Sequence, residues 1–266
     1  KNRTGRITDE NRQKFLQALG TLRRKVAKRV VYKLSPKALV CLNTSERQVE
    51  SCSAAEIRRA YKTVFYAPES KSTLLDDQIE FFHEVEDEDG DYEKGRVLIT
   101  NDNNFKTPAN LIIADMKPER RFVRELCKHE NAVSMDAWLK NTPVGFYFIE
   151  YAWKKGEHPK RGEFSPDFFL KQGEQIFVVE IKGDEEIKEP APENIKKYEY
   201  AQAHFLRLNE WIEKEGQPYR YQFNMLTPTG YNIFFQKLRE NDLSDFRSEV
   251  DVAMQKAVGD TGSDRI

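Results

Sequence analysis

Hydrophobic residues in the second half of the chain recur at a spacing of three or four, which predicts helices. One helix is predicted over residues 117–135, where Pro118 suits the first turn. A longer helix is predicted over residues 194–215, ending at the Gly-Gln-Pro sequence that follows. The residues expected to be buried are Phe122, Val123 and Leu126 in the first helix and Tyr198, Ala201, Phe205, Leu208 and Ile212 in the second.

Runs of β-branched and aromatic residues in the same region predict strands. We expect strand material over residues 133–153, notably at 144–149, a strand over residues 219–226, and two more on either side of a polar break at residues 171–174. The polar segments 154–162 and 184–193 are predicted as loops. The expected order is helix, strand, strand, strand, helix, strand, followed by a helical C-terminal part that ends in a polar tail.

The two strands around the polar break are predicted to form a hairpin. With the loop at residues 172–175, Lys171 pairs with Ile176. The same register then places Asp167 opposite Glu180. Because side chains alternate along a strand, directly opposed residues lie on one face of the hairpin.

Lys182 lies two residues after Glu180 and therefore on the same face. The hairpin thus gathers two carboxylates and an ammonium. Carboxylates that close together repel each other unless a cation lies between them, and oxygen ligands suit Mg²⁺ or Mn²⁺. The lysine can orient or help deprotonate a water, or steady a charged phosphate. The alternative is an ordinary solvated surface hairpin.

Pro166-Asp167, followed after twelve residues by Glu180-Ile181-Lys182, resembles the signature of the PD-(D/E)xK nuclease superfamily. Over about residues 115–230 the chain resembles the C-terminal endonuclease domain of type III restriction enzymes and related helicase–nucleases. The matching residues, in order, are Glu119 and Phe122, Leu139-Lys140-Asn141, Val144-Gly145-Phe146, Phe164 to Phe168, Val179 to Gly183, and Lys197, Ala201, His204 and Leu208-Asn209.

The resemblance implies an α/β fold, with a mixed central sheet, flanking helices and a restriction-endonuclease-like αβββαβ core. We expect this nuclease domain over residues 116–240. Residues 1–115 are predicted to hold a basic helix and a smaller α+β module, which serves as a helicase-linked or docking region. Residues 241–266 are predicted to hold a C-terminal helix and the polar tail.

The resemblance also implies the roles of the site residues. Asp167, Glu180 and the main-chain carbonyl of Ile181 would bind Mg²⁺ or Mn²⁺, and Lys182 would orient the attacking water. Glu119, from the preceding helix, would complete the metal shell or bind through water. Glu125 is the alternative acid on that helix, although it equally fits a solvated helix face.

The implied function is a metal-dependent endonuclease that hydrolyses DNA phosphodiester bonds in restriction or antiphage defence. Its expected partners are DNA and a helicase or ATPase domain or subunit. The alternative function is a non-catalytic nucleic-acid-binding or assembly subunit that keeps the nuclease fold. Intact Asp167, Glu180 and Lys182 favour the enzyme, because a scaffold does not need converging charges.

Charge is distributed unevenly along the chain, although the net charge is −1. Residues 1–50 contain 13 Lys or Arg and 4 Asp or Glu, while residues 76–93 contain 10 acidic residues and no Lys or Arg. This asymmetry predicts a basic surface that contacts phosphate or a partner, and a separate acidic solvated loop. No Gly-rich phosphate-binding loop with a Lys-Ser/Thr pair occurs, so the chain is not expected to hydrolyse ATP alone.

The remaining features concern the compartment. No apolar run approaches the roughly 20 residues of a membrane span, and the polar N-terminal residues predict no signal peptide. Cys41, Cys52 and Cys127 are spaced like neither metal ligands nor a disulfide framework. We therefore expect reduced thiols, a cytoplasmic location and no membrane contact.

Overall fold

The computed structural model describes residues 63–66, 97–98, 102–109, 111–114, 116–141, 147–155 and 158–263. The basic segment at residues 1–50 and the acidic run at residues 76–93 lie outside the described residues. In chain order, the strands and helices are β1 (Thr63–Tyr66), β2 (Val97–Leu98), β3 (Leu111–Ala114), α1 (Lys117–Cys127), α2 (His129–Ala132), β4 (Ala137–Lys140), β5 (Ile149–Lys155), β6 (His158–Phe164), β7 (Phe168–Gln172), β8 (Gln175–Ile181), α3 (Glu185–Lys188), α4 (Pro192–Lys214), β9 (Arg220–Leu226), α5 (Tyr231–Arg239) and α6 (Glu249–Ser263).

The central sheet of the described chain has the strand order β4-β7-β8-β9. β7 is antiparallel to both β4 and β8, whereas β9 runs parallel to β8. The parallel connection from β8 to β9 passes through α4, because parallel neighbours need a crossover. A second sheet has the order β2-β1-β3, and β5 pairs with β6 in a separate antiparallel hairpin. The fold is therefore α/β, with a mixed four-stranded sheet and flanking helices.

The predicted hairpin register is confirmed. Lys171 pairs with Ile176 and Phe168 pairs with Val179, so the next pair outward is Asp167 and Glu180. The two-residue turn begins at Gly173, whose φ of 58° lies in the left-handed region that favours glycine. The predicted strand at residues 219–226 is also confirmed as β9, and the predicted long helix as α4.

Three predictions of secondary structure need correction. The loop predicted for residues 154–162 is wrong, because β5 continues to Lys155 and β6 begins at His158. The helix predicted over residues 117–135 divides at Lys128, whose backbone is extended. Strand material was expected over residues 133–153, which β4 and β5 confirm, but of the part singled out at 144–149 only Ile149 is a strand residue among those described.

Two polar segments also form more helix than their composition suggested. α3 interrupts the loop predicted for residues 184–193, and α6 continues through the predicted polar tail to Ser263. In the β5–β6 hairpin, Ile149, Tyr151 and Phe164 are buried against α4 and β9, while the polar residues between them point outward. The many lysines in this segment made the alternation of apolar and polar residues hard to recognise in the sequence.

The sheet separates two hydrophobic clusters. On one side, Phe122 of α1 packs against Phe168 of β7 at 5.0 Å and against Tyr231 of α5 at 5.2 Å between ring centroids. On the other side, Phe205 of α4 stacks on Phe223 of β9 at 5.8 Å. The first cluster continues into Phe65, Ile112 and Ala114 of the small sheet. No helix of the described residues is long and apolar enough to cross a membrane.

Side chains of α4 cover the outer edge of β9. Asn209 donates from Nδ2 to the carbonyl of Tyr221 and accepts from the amide of Tyr221 through Oδ1, both at 2.7 Å. Gln202 donates to the carbonyl of Phe223 at 3.2 Å. These main-chain amides and carbonyls point away from β8. The side chains of α4 therefore form the hydrogen bonds that a further strand would otherwise make with this edge.

The start of α6 continues this cover. Asp251 accepts from the amide of Met225 at 2.8 Å and from Asn224 Nδ2 at 2.8 Å. Ser248 donates to the carbonyl of Met225 at 2.6 Å, and its hydroxyl also accepts from the amide of Asp251 at 3.0 Å. Asp251 in turn accepts from the amide of Ser248 at 3.1 Å, which completes a reciprocal cap at the helix N-terminus.

Candidate functional site

Asp167 lies immediately before β7, at the end of the sheet opposite the hairpin turn. Its Oδ2 accepts a hydrogen bond from the amide of Ile181 at 2.7 Å. Its main-chain carbonyl accepts from the amide of Asn141 at 2.7 Å, which extends the β4–β7 ladder by one residue. The carboxylate of Asp167 is therefore held by β8, and its main chain by β4.

Glu180 lies in the central strand β8 and is only 5% exposed. Its Oε1 forms an ion pair with Lys182 Nζ. Its Oε2 is buried and has no hydrogen-bond partner among the described residues. A buried carboxylate oxygen without a donor is costly, so this atom is free to accept from a further positive or donating group.

The charges at this end of the sheet act on one another. Burial and the negative charge of Glu180 raise the pKa of Asp167 to about 7. Lys140, the Ile181 amide and Lys182 act in the opposite direction. The effect of Glu180 on the pKa of Asp167 therefore agrees with the short separation that the strand register predicts.

Lys182 sits on the same face as Glu180 and is largely buried. Burial alone would lower the pKa of Lys182, but Glu180, Asp167 and Glu186 outweigh it and raise the pKa. Its side chain is consequently a charged hydrogen-bond donor at neutral pH rather than a proton acceptor.

The wall next to Lys182 is built from the segment between β8 and α4. Glu186 of α3 accepts from the Ala191 amide at 2.9 Å and from Asn194 Nδ2 at 2.7 Å. Glu193, in the first turn of α4, accepts from the Tyr151 hydroxyl at 2.6 Å. These hydrogen bonds attach the β5–β6 hairpin and α3 to α4 beside the site. The amino-acid sequence did not predict them.

Glu119 lies on α1, which packs on the face of the sheet that carries Phe168 and Lys140, opposite the face of Glu180. Its Oε2 lies 3.3 Å from Lys140 Nζ, and the two side chains are 14% and 12% exposed. Lys140 also lies over the Phe168 ring, 5.6 Å from its centroid. Sequence reasoning gave Lys140 no role in the site, and by the register it shares the face of its partner Phe168 and not that of Glu180.

Glu125, the alternative acid on α1, points elsewhere. It forms an ion pair with Lys128 at 2.7 Å and accepts from Asn131 Nδ2 at 3.3 Å. Cys127 follows on the same helix, where burial raises the pKa of its thiol to about 12, so it stays protonated. Of the two acids, Glu119 is the one that pairs with a lysine at the Asp167 end of the sheet.

The donor set fits a magnesium type of site with few protein ligands. Within the described ranges, no group of three or more His, Cys, Asp or Glu side chains could hold a metal ion. Asp167, Glu180 and Glu119 are thus not gathered as three ligands. Mg²⁺ is commonly held by one or two carboxylates, with water and substrate phosphate completing its shell. Asp167 and Glu180, with its unsatisfied Oε2, could supply those two carboxylates.

Comparison with known proteins gives no further assignment: no family model, no curated protein and no solved structure matches the chain.

Proposed function

We propose that the chain is a metal-dependent endonuclease that hydrolyses DNA phosphodiester bonds. The observation that carries this proposal is the convergence of Asp167, Glu180 and Lys182 at one end of the β7–β8 hairpin, with Glu180 Oε2 buried and unsatisfied within the described structure. The order α1, β4, β7, β8, α4, β9 supports a restriction-endonuclease-like core. The β5–β6 hairpin is then an insertion between its first two strands.

In this proposal Asp167, Glu180 and the main-chain carbonyl of Ile181 hold one Mg²⁺ or Mn²⁺. A divalent ion bound there supplies charge neutralisation at the phosphate and lowers the pKa of a bound water. Asp167 is kept in place by the Ile181 amide, so the carboxylate is attached to the neighbouring strand at the residue whose carbonyl completes the proposed ligand set. Lys182, held by Glu180, orients the attacking water and faces the negative charge that develops on the phosphate.

The biological setting belongs to the same proposal. The resemblance to helicase–nucleases points to restriction or antiphage defence in the cytoplasm, together with a helicase or ATPase module. The basic stretch at residues 1–50 is suited to bind phosphate or that module.

The test is incubation of the protein with supercoiled plasmid DNA in Mg²⁺, in Mn²⁺ and in EDTA. We expect nicked and linear products only with the divalent ions. Asp167→Ala, Glu180→Ala and Lys182→Ala should each reduce cleavage at least about a hundredfold while the circular dichroism spectrum stays unchanged.

Asp136→Asn is the matched control, because it removes a carboxylate from the opposite end of the same sheet. Asp136 accepts from the Gly173 amide at 2.8 Å and lies 3.3 Å from Lys171. Its variant should cleave like the wild type. If all three site variants keep wild-type activity, the nuclease proposal fails. If the folded wild type binds DNA but never cleaves it, the alternative function, a non-catalytic nucleic-acid-binding subunit, replaces the nuclease proposal.

A further inference from the structure

Only the inner half of the β5–β6 hairpin is buried, where Ile149, Tyr151 and Phe164 pack in the cluster on the α4 side of the sheet. We call the outer half, residues 153–155 and 158–161, the basic arm. Trp153, its first residue, still packs against the same cluster. The exposed side chains of the arm are those of Lys154, His158, Lys160 and Arg161.

The basic arm carries positive charge that the described residues do not neutralise. Over residues 154–161 the sequence contains four Lys or Arg and one Glu. Arg161 forms an exposed ion pair with Glu150 at 2.9 Å. Lys154 and Lys160, by contrast, form no ion pair with any described residue. Because Lys160 pairs with Trp153 across the hairpin, the two lysines lie on opposite faces of the arm.

The direction of the arm follows from the contacts of β5 with α4. The Tyr147 hydroxyl, just before β5, lies 2.5 Å from His204 Nε2. The Tyr151 hydroxyl donates to Glu193 Oε1 at 2.6 Å, and Lys197 Nζ lies 5.7 Å from the centroid of the Tyr151 ring. Moving forward along β5 therefore means moving back along α4, towards its first turn.

That first turn lies at the end of the sheet that carries the candidate site. α4 follows β8, at whose carboxyl end Lys182 lies, and leads back to Arg220, which pairs with Gln175 at the opposite end. Glu193 is the second residue of α4. The four residues of β5 after Tyr151 thus extend about 13 Å beyond this turn, at about 3.3 Å a residue.

Gly162 helps to hold the hairpin in this direction. A Cβ at this position would meet the Tyr151 ring at 2.9 Å. The glycine therefore lets the ring lie against β6 while its hydroxyl reaches Glu193. The arm is consequently a projection with a rigid base beside the site.

We propose that the basic arm enters the major groove of the duplex that is cut at the site, where Lys154 and Lys160 contact phosphates of the two strands. The inference rests on the proposed function, and it gives that reaction an element that holds the substrate. The dimensions agree, because a sheet layer is about 10 Å thick and the major groove is about 12 Å wide. Contacts to phosphate position a duplex without reading its sequence.

Fluorescence anisotropy with a labelled DNA duplex tests this in EDTA, over a range of salt concentrations. Replacing Lys154 and Lys160 together with glutamine should weaken binding at least roughly tenfold at low salt. The logarithmic salt slope should fall by about 1.8, or about 0.9 for each phosphate contact that is lost. Lys154→Arg combined with Lys160→Arg keeps both charges and should bind like the wild type.

Lys214→Gln combined with Arg220→Gln is the matched control. Both side chains are exposed, lie at the opposite end of the sheet and form no ion pair with a described residue. This variant removes the same charge and should bind DNA like the wild type. Equal losses in the two double variants would show that only net charge matters, which overturns the inference.

Acetylation of the wild type, followed by mass spectrometry, locates the contact without any substitution. Duplex DNA should slow the modification of both Lys154 and Lys160 and leave that of Lys214 unchanged. Protection of one arm lysine alone would mean that the arm lies along a single strand, which contradicts its entry into the groove. Weaker binding of the arm variant without any protection would equally refute a direct contact.

Cleavage of plasmid DNA in Mg²⁺ by the same proteins separates this inference from the proposed function. A wild type that binds DNA through the arm but never cleaves it contradicts the nuclease and leaves the arm as a DNA-binding element. A wild type that cleaves DNA, combined with an arm variant that binds like the Lys214 and Arg220 control, leaves the nuclease standing and refutes only the role given to the arm.

Discussion

Asp167 and Glu180 place two carboxylates in a part of the sheet from which water is largely excluded. Burial and the neighbouring charge both oppose ionisation of Asp167, whose pKa rises to about 7. The pair is therefore a locally unfavourable arrangement, which the proposed divalent ion would relieve.

This arrangement predicts that divalent ions stabilise the folded protein. Millimolar Mn²⁺ should raise the melting temperature by a few degrees relative to EDTA, since a ligand at about 100 times its Kd adds about 2.7 kcal/mol. The rise should shrink in Asp167→Asn and Glu180→Gln. In EDTA those variants should melt no lower than the wild type, because a repulsive charge has been removed. Differential scanning calorimetry in both buffers measures each value.

Asp136→Asn serves as the control, because its carboxylate lies beside the turn and should leave the response to Mn²⁺ intact. Equal wild-type melting temperatures in Mn²⁺ and EDTA, with no binding heat, would argue for the non-catalytic subunit.

At this scale the sequence predicted what lies within one hairpin. Turn position and side-chain alternation place Asp167 opposite Glu180 without any knowledge of the rest of the fold. The pairing of Lys140 with Glu119 could not be predicted in the same way. It depends on how α1 packs across the sheet, and no local pattern encodes that packing.

The β7–β8 hairpin is the element on which the site depends, and its turn lies at the far end. A side chain at Gly173 would meet no atom within 4 Å, so only its positive φ opposes replacement.

Gly173→Ala should therefore lower the free energy of unfolding by about 1 kcal/mol, through backbone strain alone. We expect the melting temperature to fall by about 3 °C and the response to Mn²⁺ to remain. Glu174→Ala, at the next and exposed turn position, is the control and should melt like the wild type. A loss of the Mn²⁺ response in Gly173→Ala would mean that the register, and not only the turn, had changed.

The N-terminus of α6 is the second element whose loss should be measurable. Asp251 accepts from the amides of Met225 and Ser248 and from the Asn224 side chain, and all of these groups are buried. Asp251→Ala leaves these donors unsatisfied and should lower the free energy of unfolding by at least about 3 kcal/mol.

Glu249→Ala, an exposed acid two residues earlier in the same helix, should change the free energy of unfolding by no more than about 0.5 kcal/mol. Urea denaturation followed by circular dichroism compares the two variants. Equal effects would show that Asp251 contributes through helix propensity rather than through its bonds to β9.

Among the elements, apolar spacing predicted α4 and β9 well because their buried positions are strongly periodic. The β5–β6 hairpin was missed because lysines at positions 154, 155 and 160 made the segment resemble a loop. Its strands are defined by pairing with each other and by burial of Tyr151 against α4, and both are tertiary effects.

The whole molecule combines a nearly neutral net charge with a strongly basic N-terminal stretch. The hydrophobic core joins the small sheet to the central sheet through Phe65, Ile112 and Phe122, across the boundary expected at residue 115. Sequence patterns alone suggest domain limits from changes in composition, whereas a shared core appears only when the chain is folded.

The basic stretch predicts how binding responds to salt. Replacing Arg23, Arg24, Lys25, Lys28 and Arg29 together with glutamine should weaken DNA binding and flatten its salt dependence. The logarithmic slope should fall by about 0.9 for each phosphate that the protein no longer neutralises. Fluorescence anisotropy between low and moderate salt measures both quantities. Binding that is unchanged at every salt concentration would leave docking to a partner as the role of this stretch.

The side chains that cover β9 have a consequence for protein handling and refolding. Tyr221 to Leu226 is a short, mostly apolar strand, a kind of segment that aggregates when its edge is open. Among the described residues, its edge is closed by side chains that come from α4 and from the start of α6. A chain that is shortened before Ser248, or still incompletely folded, therefore exposes an aggregation-prone strand edge. Refolding from denaturant should consequently succeed best at high dilution.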